Sequence, residues 1–202
     1  MERTVCRSGS QGERELQNTY GTQERAERFY DQQILDHLNA KMREFVARQE
    51  MLFVATSDRS GACDSSFRAG PPGFVQVLDG KNLAYPEYRG NGVMASLGNI
   101  SENPNVGLLI IDFVHDVIGL HVNGTAQIVE DPAMRAAFPN ISVDPAPGRR
   151  PERWVWITVE EAYIHCSKHL PRLAKVSHTR HWGTDDVKRK GGDFFGAKAT
   201  PR

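Results

Sequence analysis

The sequence contains no run approaching the roughly 18 apolar residues needed to span a bilayer. The first 16 residues, MERTVCRSGSQGEREL, lack the apolar core of a secretory signal. Only three cysteines are present, and Cys6, Cys63 and Cys166 lie far apart. An odd number of widely spaced cysteines argues against a disulfide framework and indicates free thiols in a reducing compartment. We therefore expect a cytoplasmic protein that does not associate with membranes.

An excess of positive charge is also missing, since 25 basic side chains balance 25 acidic ones. Proteins that coat nucleic acid usually present a basic face, so we expect no nucleic-acid partner, although a local basic pocket is compatible with this balance. The length of 202 residues suits one domain of ordinary size with a substantial core.

The well-known catalytic signatures are absent from the sequence. No Gly-Lys-Ser/Thr follows a glycine loop, no serine lies in a GxSxG elbow, and no HExxH or CxxC pattern occurs. Four of the seven histidines fall between 165 and 181, but His165 and Cys166 would point to opposite faces of a strand. We therefore expect no metal site, and no residue is assigned as a catalytic acid, base or nucleophile.

The two ends of the chain are polar, and the middle carries the periodic patterns. Residues 1–22 are predicted to be an arm that is flexible or that orders only on a partner, and residues 183–202 a polar tail. Residues 23–182 form the predicted domain. It begins with an amphipathic helix from Asp31 to Gln49, whose apolar residues recur every three to four positions.

The rest of the domain is dominated by short β-type segments. A hairpin is predicted over 51–67, and an Asp79-Gly80 turn joins two further strands within 73–86. Another strand follows at about 105–112, and 117–130 is either a strand pair or one long bent strand. Residues 131–138 begin a helix with Asp131 as its N-cap, and 153–166 form the last strand. Six or seven mostly antiparallel strands with few helices predict a mainly β protein, a β-barrel with flanking helices.

Between the strand that ends near Pro86 and a predicted helix at about 93–103 lies a glycine-rich loop. Gly90 and Gly92 are typical of a tight turn, but they also allow backbone N–H groups to approach an anion at a helix N-terminus. A hairpin from 68 to 86 would bring Arg68 beside this loop, and a guanidinium there favours a phosphate ligand. A surface arginine and a structural turn are the alternative interpretation.

Five blocks of sequence, in order, resemble the pyridoxamine 5'-phosphate oxidase-like family of FMN-binding split β-barrels. They are RAGPPGF (68–74), PEYRGN (86–91), NISENPNVGLL (99–109), VNG (122–124) and HCSK (165–168). The pattern is most similar to the family's branch of predicted flavin-nucleotide-binding proteins, and the resemblance extends over roughly residues 45–182.

The resemblance implies a homodimer with FMN at the subunit interface. It also implies a set of cofactor-binding residues, some of which would act across the interface. The FMN phosphate would be held by Arg68 and by the loop residues Pro86, Glu87, Tyr88, Arg89, Gly90 and Asn91. Ser167 and Lys168 would approach the flavin from the second subunit.

The sequence departs from the family pattern directly after the loop. Members commonly place Arg or Lys there as a second phosphate ligand, whereas this chain has Gly92, Val93 and Met94. Either Arg89 substitutes for the missing residue or the affinity for FMN is weak. The family's C-terminal substrate signatures are also missing, so oxidation of vitamin B6 itself is not expected.

Three functional hypotheses remain at this point. The first is an FMN-dependent oxidoreductase acting on a small molecule. The second is a non-catalytic protein of the same fold that binds or senses a flavin, a deazaflavin or haem. The third is an interaction protein with a degenerate site that acts through its polar ends.

Overall fold

Seven antiparallel strands form one sheet in the order β2-β1-β5-β6-β7-β4-β3 in the computed structural model, which describes residues 9–141, 144, 146 and 148–200. The strands are β1 (Met51–Ser57), β2 (Cys63–Ala69), β3 (Gln76–Val77), β4 (Asn82–Glu87), β5 (Asn105–Asp112), β6 (Ile118–Glu130) and β7 (Arg153–His165). The sheet is not closed, because β2 and β3 remain its two edges. This mainly β architecture confirms the predicted fold class.

Five helices accompany the sheet within the described residues. They are α1 (Gln11–Tyr20), α2 (Gln23–Gln33), α3 (Ala40–Ala47), α4 (Ala95–Glu102) and α5 (Asp131–Ala137). Short 3₁₀ turns follow at Ser167–His169 and Ala197–Ala199. None of the helices described is long and apolar enough to cross a membrane.

The larger of two apolar clusters lies on one face of the sheet because the apolar side chains alternate along its central strands, and Ala84, Met134 and Trp154 form a smaller one. Leu52 and Val54 of β1, Leu108 of β5, Val122 of β6 and Ile157 of β7 are all at most 1% exposed. Side chains at every second position of a strand share a face, so these residues meet in one layer. The alternation visible in the sequence is therefore the alternation that builds the core.

The segment 117–130 is one long strand, β6, that pairs with β7 along most of its length. The register shifts between Asn123 and Gly124, which is a β-bulge and decides between the two predicted forms. A Cβ at Gly124 would overlap the backbone oxygen of Thr158, so glycine is required where the strands come closest.

The prediction of a single helix from Asp31 to Gln49 is wrong. Helix α2 ends at Gln33, and Leu35 instead pairs with Ala162 of β7 through backbone hydrogen bonds of 3.0 and 2.7 Å. A new helix, α3, starts after Asn39, whose side chain accepts a hydrogen bond from the N–H of Met42 at 3.0 Å. Backbone pairing with the sheet outweighs the helical spacing of the apolar residues.

Part of the predicted N-terminal arm is helical, and residues 1–8 lie outside the described residues. Helix α1 starts with a capping box between Ser10 and Glu13 and ends at Gly21 in the left-handed conformation. Tyr30 of α2 donates a hydrogen bond to Glu13 at 2.7 Å and accepts one from Gln17 at 2.6 Å. These contacts join α1 and α2. The domain boundaries at 23 and 182 stay a prediction.

A smaller correction concerns the start of α5. The N-cap is Glu130, and Asp131 is the first helical residue. The buried Asp131 carboxylate accepts hydrogen bonds from Nε1 of Trp154 at 2.9 Å and from Nε of Arg135 at 2.7 Å. The acidic side chain therefore ties the helix to β7 rather than capping it.

Candidate functional site

A cleft of about 1030 Å³ opens between β2, the loop after β4 and the start of α4. Its volume lies at the upper end of the range typical of ligand sites. Six of the predicted cofactor-binding residues line it, namely Arg68, Glu87, Tyr88, Arg89, Gly90 and Asn91. Arg68 lies beside the glycine loop, as the sequence predicts, but the expected hairpin is not what brings it there. Strand β2 pairs with β1, and β4 pairs with β3 and β7, so the two segments meet because the sheet curls on itself.

The structure places the other three predicted residues elsewhere. Pro86 lies in β4 opposite Trp154 and lines a neighbouring pocket of about 280 Å³. Ser167 and Lys168 form the exposed 3₁₀ turn after β7 and are not part of the cleft lining. Their approach to the ligand from a second subunit stays a prediction, because one chain alone is described.

The helix α4 begins at this cleft without a side-chain cap. Its N-cap is Met94, which has a left-handed backbone with φ of +56°, and Gly92 before it has φ of +85°. The first N–H groups of a helix have no partner within the helix, and they carry its positive dipole end. A non-glycine residue in the left-handed region costs on the order of 1–3 kcal/mol and is common at ligand sites. The uncapped start of α4 is therefore suited to an anion.

Two hydroxyl groups that the sequence analysis missed lie at the same place. Oγ of Ser66 and Oγ of Ser96 are 3.0 Å apart, and both donate to the carboxylate of Asp64, at 2.8 and 3.2 Å. Ser66 lies two residues before Arg68 on β2, so both share one face of the strand. That spacing is the signal that could have identified Ser66, whereas Ser96 is brought close only by the packing of α4.

Arg68 and Glu87 form a partly buried ion pair, which holds the guanidinium in place. Nε and Nη2 of Arg68 both lie 2.9 Å from Oε1 of Glu87, and the side chains are 20% and 12% exposed. Nη1 donates to the backbone oxygen of Phe67 at 3.2 Å. A guanidinium has five N–H donors, so two remain for a ligand. Glu87 thus orients Arg68 and partly neutralises it.

Burial gives Glu87 unusual proton chemistry. It raises the pKa of the Glu87 carboxyl, and the positive charges of Arg68 and Arg153 only partly oppose this effect. Beneath the pair lies Tyr85, which is fully buried, with its ring centroid 6.0 Å from Cζ of Arg68. Its hydroxyl has no hydrogen-bond partner among the described residues, and burial raises its pKa. The floor of the cleft is therefore a poorly solvated environment.

The C-terminal tail of the same chain reaches the mouth of the cleft. The ring of Trp182 meets that of Tyr88 edge to face, with centroids 5.7 Å apart. Nη2 of Arg89 lies 2.8 Å from Oδ2 of Asp185, and Nζ of Lys190 lies 3.5 Å from Oδ1 of the same carboxylate. Trp182, Asp185 and Lys190 are therefore site residues that sequence reasoning did not find.

Charges of both signs line the cleft in equal number. The cations are Arg68, Arg89, Arg153 and Lys190, and the carboxylates are Asp64, Glu87, Glu152 and Asp185. Binding of an anion there has to depend on directed donors, namely backbone N–H groups and the free guanidinium hydrogens, more than on net charge.

The histidine and cysteine side chains that the structure describes do not cluster as metal ligands. No group of three His, Cys, Asp or Glu side chains that could hold a metal occurs in the part of the chain that the structure describes. His121 stacks on Tyr163 with centroids 4.7 Å apart, and burial lowers its pKa. Cys63 and Cys166 are exposed free thiols, and Cys6 lies outside the described residues.

Comparison with solved structures finds proteins of similar architecture. HupZ from Group A Streptococcus is 20% identical, with 63% of this chain and 99% of that chain covered and a TM-score of 0.46. A candidate pyridoxamine 5'-phosphate oxidase from Lactobacillus delbrueckii is also 20% identical, with coverage of 64% and 95% and a TM-score of 0.47. An F420 reductase is 21% identical, with coverage of 60% and 94% and a TM-score of 0.40.

These TM-scores are below 0.5, so the likenesses carry no argument about what this chain binds. Comparison with curated protein sequences finds no significant match. The model of one family, described as pyridoxamine 5'-phosphate oxidase, matches residues 38–166, which is more than half of the chain. The matched range contains all of β1 to β7 and most of the cleft. The chain therefore belongs to the pyridoxamine 5'-phosphate oxidase family.

Proposed function

We propose that this protein binds FMN in the cleft and, as a homodimer, uses it to oxidise or reduce a small molecule. One observation carries the proposal: the uncapped start of α4 and the free donors of Arg68 line one cleft. These are the donor types that bind a phosphate monoester. Family membership supports the flavin, because the family generally binds flavin.

The lining also offers a place for the apolar part of a flavin. Phe67, Val93 and Met94 line the cleft, and their side chains are 53%, 72% and 53% exposed in the single chain. A flavin ring needs a flat, mostly apolar slot with few polar groups. Exposed apolar side chains beside a phosphate site would be covered by the ring or by a second subunit.

Bound FMN would supply the hydride or electron chemistry, and the chain would supply binding and orientation. In this proposal Arg68 and the first N–H groups of α4 hold the phosphate. Glu87 fixes the direction of the guanidinium. The apolar rim keeps water away from the ring. No side chain is proposed as a catalytic acid or base.

A second proposal is a non-catalytic protein that binds or senses a flavin, a deazaflavin or haem. Two observations favour it: four carboxylates balance the four cations of the cleft, and Val93 and Met94 stand where a basic residue is usual. Both features weaken the attraction for a phosphate. A ligand with another distribution of charge is then a competitor.

The test starts with the full-length protein and a fluorescence titration with FMN and with riboflavin, which lacks the phosphate. We expect saturation at one FMN per chain and weaker binding of riboflavin. Arg68→Ala should weaken FMN binding by about tenfold or more, since a charge-assisted hydrogen bond contributes roughly 1.5–3 kcal/mol. Absence of FMN binding would overturn the proposal.

Further measurements separate the enzyme from the binding protein. Mass spectrometry of the extracted cofactor identifies the co-purifying ligand, and light scattering gives the oligomeric state. Anaerobic addition of NADH or NADPH should bleach the bound FMN if the protein is an oxidoreductase. Tight FMN binding without reduction by either nucleotide would favour the second proposal.

A further inference from the structure

The C-terminal tail returns to the cleft although it contains little regular structure. Leu173 donates a backbone hydrogen bond to Phe113 at 2.8 Å, and Lys175 pairs with Glu50. Further along, Trp182 packs against Tyr88. Gly183 lies so close to the loop before β7 that a Cβ on it would be 2.6 Å from Cα of Gly148. Several separate contacts therefore position residues 182–190 at the mouth of the cleft.

Within this segment the carboxylate of Asp185 lies between two cations that come from different parts of the chain. One of its oxygens is 2.8 Å from Nη2 of Arg89 in the loop after β4, and the other is 3.5 Å from Nζ of Lys190 in the tail. A carboxylate bridging an arginine and a lysine occupies the position that a phosphate group would take. All three residues line the cleft.

We propose that Arg89 and Lys190 bind the phosphate group of the cleft's ligand, and that Asp185 occupies their donors in the free chain. The proposal rests on the proposed function, which places a phosphate in this cleft. It identifies the missing second basic residue: the charge that the family places after the Gly-Asn of the loop comes here from Arg89 and from the tail. Lys190 lies outside the 38–166 range of the family match, so the match does not account for it.

The exchange of Asp185 for a phosphate is physically reasonable because the existing ion pairs are weak. The side chains of Arg89 and Asp185 are 60% and 65% exposed, and that of Lys190 is 44% exposed. Exposed pairs typically change an equilibrium constant by no more than about fivefold. A phosphate carries more charge and more acceptor oxygens than a carboxylate, so it competes effectively for the same donors.

The test compares three variants of the full-length protein. Lys190→Ala removes one proposed ligand, Asp185→Asn removes the competing charge, and Lys188→Ala is the matched control in the same exposed segment. FMN and riboflavin are titrated against each by flavin fluorescence. We expect Lys190→Ala to weaken FMN binding by about fivefold and Asp185→Asn to strengthen it by about threefold. Riboflavin affinity and the control should stay at the wild-type values.

Two results would overturn the inference while leaving the proposed function intact. The first is FMN affinity in Lys190→Ala equal to that in Lys188→Ala. The second is an equal loss of FMN and riboflavin affinity, which would mean that the tail shapes the cleft without contacting the phosphate. Failure of the wild-type protein to bind FMN contradicts the proposed function instead. Binding of inorganic phosphate to the same variants, measured by phosphorus NMR, then tests Arg89 and Lys190 without a flavin. Wild-type affinity for phosphate in Lys190→Ala would overturn the inference.

Discussion

Replacing Arg68 by alanine tests the electrostatics of the cleft most directly, independently of any ligand. The substitution removes the guanidinium that makes two 2.9 Å contacts to Glu87, whose side chain is 12% exposed in the wild-type protein. Arg153 is the other positive charge acting on Glu87. A carboxylate that has lost its partner in a poorly solvated place is destabilising while it remains charged.

The size of the effect follows from the burial of the pair. Removing one partner of a fully buried ion pair costs roughly 3–5 kcal/mol. Arg68 is 20% exposed, so water can relieve part of this penalty, and we expect a loss of about 2–3 kcal/mol in the free energy of unfolding near pH 8. Arg89→Ala is the matched control. The ion pair between Arg89 and Asp185 is exposed, so Arg89→Ala should lower the free energy of unfolding by less than about 1 kcal/mol.

The loss of stability in Arg68→Ala should depend on pH. The pKa of Glu87 is raised by burial, so the folded protein binds its proton more readily than the unfolded chain. Stability linked to this proton is present below the unfolded pKa and is lost as the pH rises through the folded pKa. Loss of Arg68 raises the folded pKa further, so the destabilisation should be larger at pH 8 than at pH 5.

Urea unfolding at these two pH values, followed by tryptophan fluorescence, measures the difference. An equal loss at pH 5 and pH 8, or a loss no greater than that of Arg89→Ala, would refute the reasoning. The double variant Arg68→Met with Glu87→Gln should recover most of the stability, because no buried charge remains. A double variant as unstable as Arg68→Ala would point to lost packing instead of an unpaired carboxylate.

Three further predictions concern the scaffold and are all measured by urea unfolding. Gly124→Ala should destabilise by about 1–3 kcal/mol, because its Cβ would overlap the backbone oxygen of Thr158 at the bulge; wild-type stability would mean that the bulge relaxes freely. Met94→Gly should be neutral or stabilising by up to about 1 kcal/mol, because it removes the strain at φ of +56°; a clear loss would show that the Met94 side chain contributes to packing. Trp154→Phe should cost about 1–3 kcal/mol, because the buried Asp131 loses its 2.9 Å hydrogen bond from Nε1; a smaller cost would mean that Arg135 satisfies the carboxylate alone.

Local sequence patterns predicted the β elements well because strand pairing here follows alternation and turn chemistry. The Asp79-Gly80 turn, the strand at 105–112 and the irregularity at Asn123-Gly124 are all present in the structure. The prediction of a single helix over 31–49 was wrong because a contact with a distant strand determines the conformation of this segment. Leu35 has a helical position in the apolar pattern, but a partner in β7, more than a hundred residues away, determines its conformation.

For the candidate site, the sequence alone indicated Arg68 and the glycine loop as residues suited to an anion, but the hairpin expected between them is not formed, because β2 pairs with β1 and β4 with β3 and β7. Only the tertiary structure decided what surrounds them. Glu87 as the partner of Arg68, Ser96 beside Ser66, and Asp185 between Arg89 and Lys190 all depend on contacts between distant segments. Burial and charge pairing are properties of three-dimensional neighbours, so no local pattern reveals which carboxylate neutralises which cation.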